Sequence, residues 1–301
     1  MSESSRDRYR KERGRRFEII KGRTMYRRNL ALAVIPGVAL GLLVTGITRS
    51  VAGLVVAVLA GAAGPPVYRW WLMRQASDQA RREVMNAWAA ERHWSYAEEP
   101  SIPADVAFCR NREKPVAEHG FSGPMAGLAS EIFNFTYSTY ETRTRTGANG
   151  QVESYREEVK HRHTVLRMGL GDLGLKRVAL SPQGFGCGFA EKLRGMFTGD
   201  RSVQLESSEF NDRFCLFVAD DADEIAVRRL FEPALIVRLV EGRFPLATFQ
   251  YEQGALAFVW SDQYDVEELE EVEHRVADAT PIAEALVAQR DRLAPELRRQ
   301  S

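Results

Sequence analysis

The sequence predicts an α+β protein: an N-terminal transmembrane helical hairpin followed by a cytoplasmic domain of antiparallel sheet with packed helices. Three observations predict it. Two charge-free runs of nineteen residues, Leu30–Thr48 and Ser50–Tyr68, flank Arg49. The charge is segregated, since residues 1–28 hold eleven Lys/Arg against four Asp/Glu and residues 29–75 hold only Arg49, Arg69 and Arg74. With 41 basic and 41 acidic residues in all, the remaining 226 residues therefore sum to −10 (27 − 37). Finally, period-two strand patterns joined by hairpin-length connections fill the C-terminal half, where alternating βαβ units are not visible. At 45% hydrophobic and 27% charged, the 301-residue chain is neither disordered, collagen-like nor a disulfide scaffold.

The organisation expected is a basic cytoplasmic tail over 1–28, the transmembrane hairpin over 29–72, a juxtamembrane helix and irregular connection over 73–130, and the cytoplasmic α+β domain over 131–301. Each charge-free run reaches roughly 28 Å as a helix, close to the hydrocarbon thickness of a bilayer. Glycines at 37, 41, 46, 53, 61 and 64 suit close helix contact, and Pro36 and Pro65-Pro66 are expected to kink the spans. A signal anchor cleaved near Ala60-Gly61-Ala62 is the alternative, against which the long basic leader argues. Counting basic residues near the membrane ends places both termini in the cytoplasm and the protein in the inner membrane. Arg27 and Arg28 on one side and Tyr68, Trp70 and Trp71 on the other are the expected membrane-interface residues. The bilayer with its anionic headgroups is then the partner of the basic tail; nucleic acid is not expected, and a protein partner at the membrane is admitted.

Asp78 to Arg92 reads as a helix with Ala80, Val84, Ala87 and Trp88 along one face, and Glu98 to Ser130 as an irregular connection rich in Pro and Gly. Phe133, Phe135 and Tyr137 alternate with polar residues as a strand. A second strand, Glu157 to Met168, is reached through a polar loop at Ala148-Asn149-Gly150, giving a long hairpin. Lys176 to Leu180 is a third strand and Phe189 to Phe197 a short helix. Val203 to Glu206 and Phe210 to Val218 read as strands, followed by an Asp221-initiated helix and a helix beginning at Pro233. Ala247 to Glu252 and Ala255 to Trp260 form a hairpin about Gln253-Gly254. A C-terminal helix with the stripe Val266, Leu269, Val272 and Val276 is broken or kinked at Pro281 and continues to Leu293.

Several of these segments carry a resemblance. Trp88-Ala89-Ala90-Glu91-Arg92-His93-Trp94-Ser95-Tyr96, Phe133-Asn134-Phe135-Thr136-Tyr137-Ser138, His163-Thr164-Val165-Leu166-Arg167-Met168 and Glu209-Phe210-Asn211 through Phe214, behind a basic tail and an apolar hairpin, resemble a family of bacterial membrane proteins whose cytoplasmic domain has no assigned function. The resemblance covers most of residues 29–265. It implies architecture and transfers no catalytic residue.

Candidate chemistry is sparse. Gly169-Leu170-Gly171-Asp172-Leu173-Gly174 matches GxGxxG, but a dinucleotide site needs a helix opening at the third glycine, and a strand follows here. Gly184 to Gly188 reads as a tight turn. His161 and His163, two apart on a strand, are the one candidate metal pair, with His119 or a carboxylate as third ligand; cross-strand partners are the alternative explanation. Cys109, Cys187 and Cys215 are expected to be reduced, packed thiols. Glu267, Glu268, Glu270, Glu271 and Glu273 form an acidic run facing water or a basic partner, and Glu209 is expected to cap a turn with Asn211. No cofactor and no catalytic residue are expected. The function that follows is a membrane-anchored, non-catalytic binding or scaffold module; the alternatives are a membrane-tethered metal-dependent hydrolase using His161 and His163, and a structural subunit of a membrane complex.

Overall fold

The structure, a computed structural model, describes residues 4–23, 51–146, 152–173, 175–183, 200–241 and 247–300. The chain divides into two compact units, one of residues 1–88 with 266–268 and one of residues 89–265 with 269–301.

The first unit is helical. α1 (Ser5–Arg23) is strongly basic, and α2 (Val51–Glu91) is one uninterrupted helix that crosses the unit boundary at its last turn. On α2, Leu72, Ala76, Ala80, Val84, Met85 and Trp88 are buried, spaced at three and four as an amphipathic helix requires. Among the described residues no helix is long and apolar enough to cross a membrane. The transmembrane hairpin, and with it the two-span inner-membrane placement with cytoplasmic termini, is therefore corrected. The expected first span, Arg49 and the interface residues Arg27 and Arg28 lie outside the described residues. The helix that contains most of the expected second span does not end at residue 72 but runs on to Glu91, through the charged segment expected as a separate helix. Trp70 and Trp71 are exposed on α2, and the guanidinium of Arg74 lies 5.6 Å from the Trp70 ring centre. In the basic α1, Arg6 pairs with Glu267 at 3.3 Å and Glu268 at 3.6 Å, and Arg16 with Glu83 at 2.9 Å.

The second unit bears out the α+β expectation with one nine-stranded sheet, antiparallel at every pairing, in the order β1-β2-β3-β4-β9-β8-β5-β7-β6. Its strands are β1 (Ser95–Ala97), β2 (Glu113–Met125), β3 (Leu128–Thr146), β4 (Val152–Gly169), β5 (Arg177–Pro182), β6 (Asp200–Val203), β7 (Phe214–Ala219), β8 (Ala247–Glu252) and β9 (Ala255–Trp260). Among the described residues it also holds three short helices, α3 (Ser208–Arg213), α4 (Glu224–Leu230) and α5 (Pro233–Glu241), and the long α6 (Leu269–Gln300).

The sheet buries both faces at its centre, and every residue of β9 is buried. On one face Phe133, Phe135, Tyr137, Val165 and Val259 pack under Val106, Phe108 and Cys109 of a short 3-10 turn. In the second half an aromatic series runs from helix to sheet. Phe210 lies 5.9 Å from Phe231, Phe231 6.4 Å from Phe249, and Phe249 6.2 Å from Phe258. Each such ring removed from water contributes about 1.5–3 kcal/mol before ordering costs.

The hairpin about Gln253-Gly254 has the expected boundaries. Other elements differ. The irregular stretch 98–130 contains all of β2. The segment read as a strand from Phe210 begins as α3, because Ser207 Oγ accepts from Phe210 N at 3.2 Å and caps it. The helix expected to start at Asp221 is capped by Asp223. α6 passes Pro281 without a break. The tip at 147–151, the helix read at 189–197, the Gly184–Gly188 turn and Cys187 lie outside the described residues.

Candidate functional site

A concavity lies at the end of the sheet where β5 begins and β7 and β8 end. It has a volume of about 1050 Å³ and is lined from three connections: 171–177 between β4 and β5, 219–221 after β7, and 251–254 at the β8–β9 turn. The register places these together, with Arg177 opposite Glu252 and Val178 opposite Val218.

The rim is built by the glycine-rich loop that resembled a phosphate cradle. Gln253 and Gly254 have φ of +51° and +83°, so the two-residue turn needs left-handed backbone, which glycine supplies without strain. Gly254 O accepts from the N–H groups of Leu170 and Gly171, both at 2.9 Å. Tyr251 Oη donates to Gly171 O at 3.0 Å and accepts from Leu173 N at 2.9 Å. A Cβ on Gly254 would stand 3.5 Å from Gly171 backbone, which is ordinary contact, so the turn's demand there is conformational. The N–H groups of Leu170, Gly171 and Leu173 are thus turned to the hairpin, and the next described element is the strand β5, where a pyrophosphate site needs a helix.

The walls are charged. Asp172, Asp220, Asp221 and Glu252 face Lys176 and Arg177, an excess of two carboxylates. Lys176 pairs with Asp221. Arg177 Nε donates to Asp200 Oδ1 at 3.0 Å, its Nη1 lies 3.8 Å from Glu252 Oε1, and Arg110 pairs with the other oxygen of Glu252. The Asp200 side chain is 1% exposed, and its Oδ2 has no hydrogen-bond partner among the described residues. Burial holds its carboxyl above the ordinary range, against the pull of the Arg177 hydrogen bond and charge. The Lys176 ammonium holds Asp221 below it.

His161 and His163 share a face of β4, as period two requires, and both stack on Tyr137, at 4.8 Å and 5.6 Å. His161 Nε2 is 2.8 Å from Thr139 Oγ1. His163 Nδ1 lies 3.1 Å from Trp260 O; a carbonyl only accepts, so Nδ1 donates and Nε2 is the bare nitrogen. That Nε2 is buried without a hydrogen-bond partner among the described residues, 4.8 Å separating the ring from Phe108. Burial pushes the His163 pKa down to about 4. His119, the suggested third ligand, sits in a bulge of β2 with its Nδ1 2.9 Å from Tyr96 Oη. Among the described residues no three His, Cys, Asp or Glu groups come together as a metal site.

The remaining candidates have structural partners. Cys109 is buried, its thiol pushed up to about 12 by desolvation, and both Cys109 and Cys215 are unbridged. Asn211 brackets Leu205, accepting from its N at 3.0 Å and donating to its O at 2.7 Å. Glu209 does not share that role: it lies on α3, 3.7 Å from Arg213, and the cap is Ser207. In the acidic run, Glu273 pairs with Arg92 and Glu271 with Arg275 at 3.2 Å. The cavity itself was missed in the sequence, because its walls come from three loops whose proximity only the strand register creates; the GxGxxG string marked one of them, for the wrong chemistry.

Fold and site together define an α+β chain whose antiparallel sheet carries a cavity with an acidic excess at one end. No family model matches the chain, and no curated protein matches it. The crystal structure of the mycobacterial trehalose monomycolate transport factor A, TtfA, is similar at a TM-score of 0.40 and 15% identity, over 67% of this chain and 93% of that one. A likeness this weak says nothing of function.

Proposed function

We propose that this chain is a non-catalytic binding module that seats a small, polar, positively charged ligand in the cavity at the β5–β7–β8 end of the sheet. The carrying observation is the cavity: about 1050 Å³, bordered by four carboxylates and two cations. Small-ligand sites are concave and present a few convergent polar groups. A cationic group entering beside Asp220 meets a lining with more carboxylates than cations, while Lys176 pairs with Asp221 and Arg177 with Asp200. A hydrolytic reading finds less support, since His163 is packed edge-on against Phe108 at 4.8 Å and its Nδ1 donates to the Trp260 carbonyl.

Isothermal titration of the full chain with glucosamine and with spermidine tests the reading. Saturable binding that weakens about tenfold in Asp220→Asn/Asp221→Asn, and weakens with salt as screened charges do, is expected. No heat with either amine, or equal affinity in the double variant, overturns it.

A further inference from the structure

A second hollow, of about 320 Å³, lies where the chain bends from the 3-10 turn into β2 and passes the middle of β3. It is lined by Arg112 and Glu113 from the bend, Tyr137 and Tyr140 from β3, and Arg156 from β4, so two arginines border it against one carboxylate residue. No residue lines both this hollow and the acidic cavity. The strand register explains the gathering. Glu113 pairs with Ser138 at the start of β2, which sets the bend beside β3, and Arg156 stands opposite Thr142 on β4. Alternation then puts Arg156 on the same face as Glu158, Ser138 and Tyr140.

The two cations differ in kind. Arg112 is fixed: its Nε donates to Phe108 O at 2.8 Å, and its guanidinium lies 4.4 Å from the Tyr137 ring centre and 5.0 Å from that of Phe108. Burial pulls its pKa down, against the Tyr137 phenol and the Cys109 thiol. Arg156 is exposed and makes no hydrogen bond or ion pair among the described residues. The carboxylate beside it on that face is engaged elsewhere, since Glu158 accepts from Ser138 Oγ at 2.6 Å and from Lys114 Nζ at 2.9 Å. Tyr137 adds a hydroxyl that has no hydrogen-bond partner among the described residues.

We propose that this hollow is a phosphate site, in which Arg112 and Arg156 hold the phosphate group of a small ligand or of a lipid headgroup between them. The ligand class follows from charge and shape. Planar guanidinium forks match the oxygens of a phosphate, and a guanidinium already drawn out of water gains more from an anion than a solvated one does. Two cations and a phenol donor suit a group with several charged oxygens, where one fork alone would satisfy a single carboxylate. At about 320 Å³ the hollow stands at the small end of ligand sites, which limits what is seated to the phosphate and little more. Glu113 opposes the anion and holds the affinity below what the two arginines alone would give.

Isothermal titration of the full chain with inorganic phosphate at fixed ionic strength tests the proposal. One saturable site is expected. Arg156→Gln should weaken it about tenfold, the loss of a charge-assisted contact, and Glu113→Gln should tighten it about threefold by removing the opposing charge. Both side chains are exposed, so the urea midpoints of the variants should stay at the parent's and the changes in affinity report the site. Flotation with phosphatidylcholine vesicles that contain phosphatidic acid separates the two sources of the group. Flotation lost in Arg156→Gln assigns the phosphate to a lipid headgroup, and flotation that is absent or unchanged in that variant assigns it to a small molecule. No saturable phosphate binding, or phosphate binding indifferent to both substitutions, overturns the proposal.

Discussion

Tyr251 shows how one hydroxyl can hold a site together. Its ring is 1% exposed, and its Oη bridges a carbonyl and an N–H of the 170–173 loop. Tyr251→Phe keeps the packing and leaves both backbone groups unsatisfied, which costs about 1–3 kcal/mol. The expected result is a lower urea midpoint at unchanged slope, with weaker amine binding because the cavity rim is no longer pinned. His163 makes a second residue-scale case, in which pH is the variable. Its pKa falls from 6.5 to about 4 on folding because burial disfavours the imidazolium. Below 6.5 the unfolded chain binds a proton that the folded one does not, so stability is lost as pH falls from 6.5 towards 4, on the order of 3 kcal/mol in all. Glu131 and Asp200, held above the carboxylate range by burial, slope the opposite way, their contribution being lost as pH rises through their folded pKa values. Comparing His163→Phe with the parent isolates the histidine. The variant keeps the stack with Tyr137 and the edge-on contact with Phe108 and should show a flatter fall between pH 6.5 and 4 in denaturant titrations; an unchanged slope would place the proton elsewhere.

Elements with a steady period were legible, and those that break it were not. β8 and β9 were read to the residue, because Gln253-Gly254 is a strong turn signal between two apolar runs. β4 was found but shortened, since its outer half is polar on both faces and offers no buried stripe to see. β2 was read as loop because Pro115, Gly120, Gly123 and Pro124 look like turn residues and register shifts between Glu113 and Val116 and between Glu118 and Phe121 destroy the alternation. One of those glycines has a packing cause. A Cβ on Gly123 would fall 2.1 Å from a Trp94 ring atom, so the glycine makes room for the indole. Gly123→Ala should therefore destabilise the second unit by about 1–3 kcal/mol through overpacking. Gly127→Ala, with open space around its Cβ but φ of +72°, should cost about 1 kcal/mol from backbone strain alone. Thermal melts of the two variants, with the Trp94 fluorescence shifted only in Gly123→Ala, would separate the two causes.

At the scale of the molecule, local signals lead furthest astray where they depend on what surrounds them. A charge-free run reads alike whether lipid or protein covers it, and the continuous α2 shows that the run's end was not a boundary. The C-terminal helix teaches the same lesson in reverse: its acidic face looked solvated, yet a buried cation lies beneath it. Arg275 is 2% exposed; it donates to Thr164 on β4, its Nη2 is 3.0 Å from the Asp262 carboxylate, and its guanidinium lies 5.6 Å from the Trp260 ring centre. Thr164 in turn donates to Asn134 Oδ1 at 3.2 Å, and Asn134 Nδ2 donates to Tyr264 O at 2.8 Å, so one polar network ties α6, β3, β4 and the chain after β9. The carboxylates that Arg275 meets are largely exposed, Asp262 at 68% and Glu271 at 46%, so removing the guanidinium strands the buried Thr164 hydroxyl rather than a buried charge and costs about 1–3 kcal/mol. Arg275→Ala should accordingly lower stability by about that amount and raise amide exchange together in α6 and in the facing strands. If α6 alone exchanged faster while the sheet kept its protection, the helix would be a separable layer and the network no more than a surface tether.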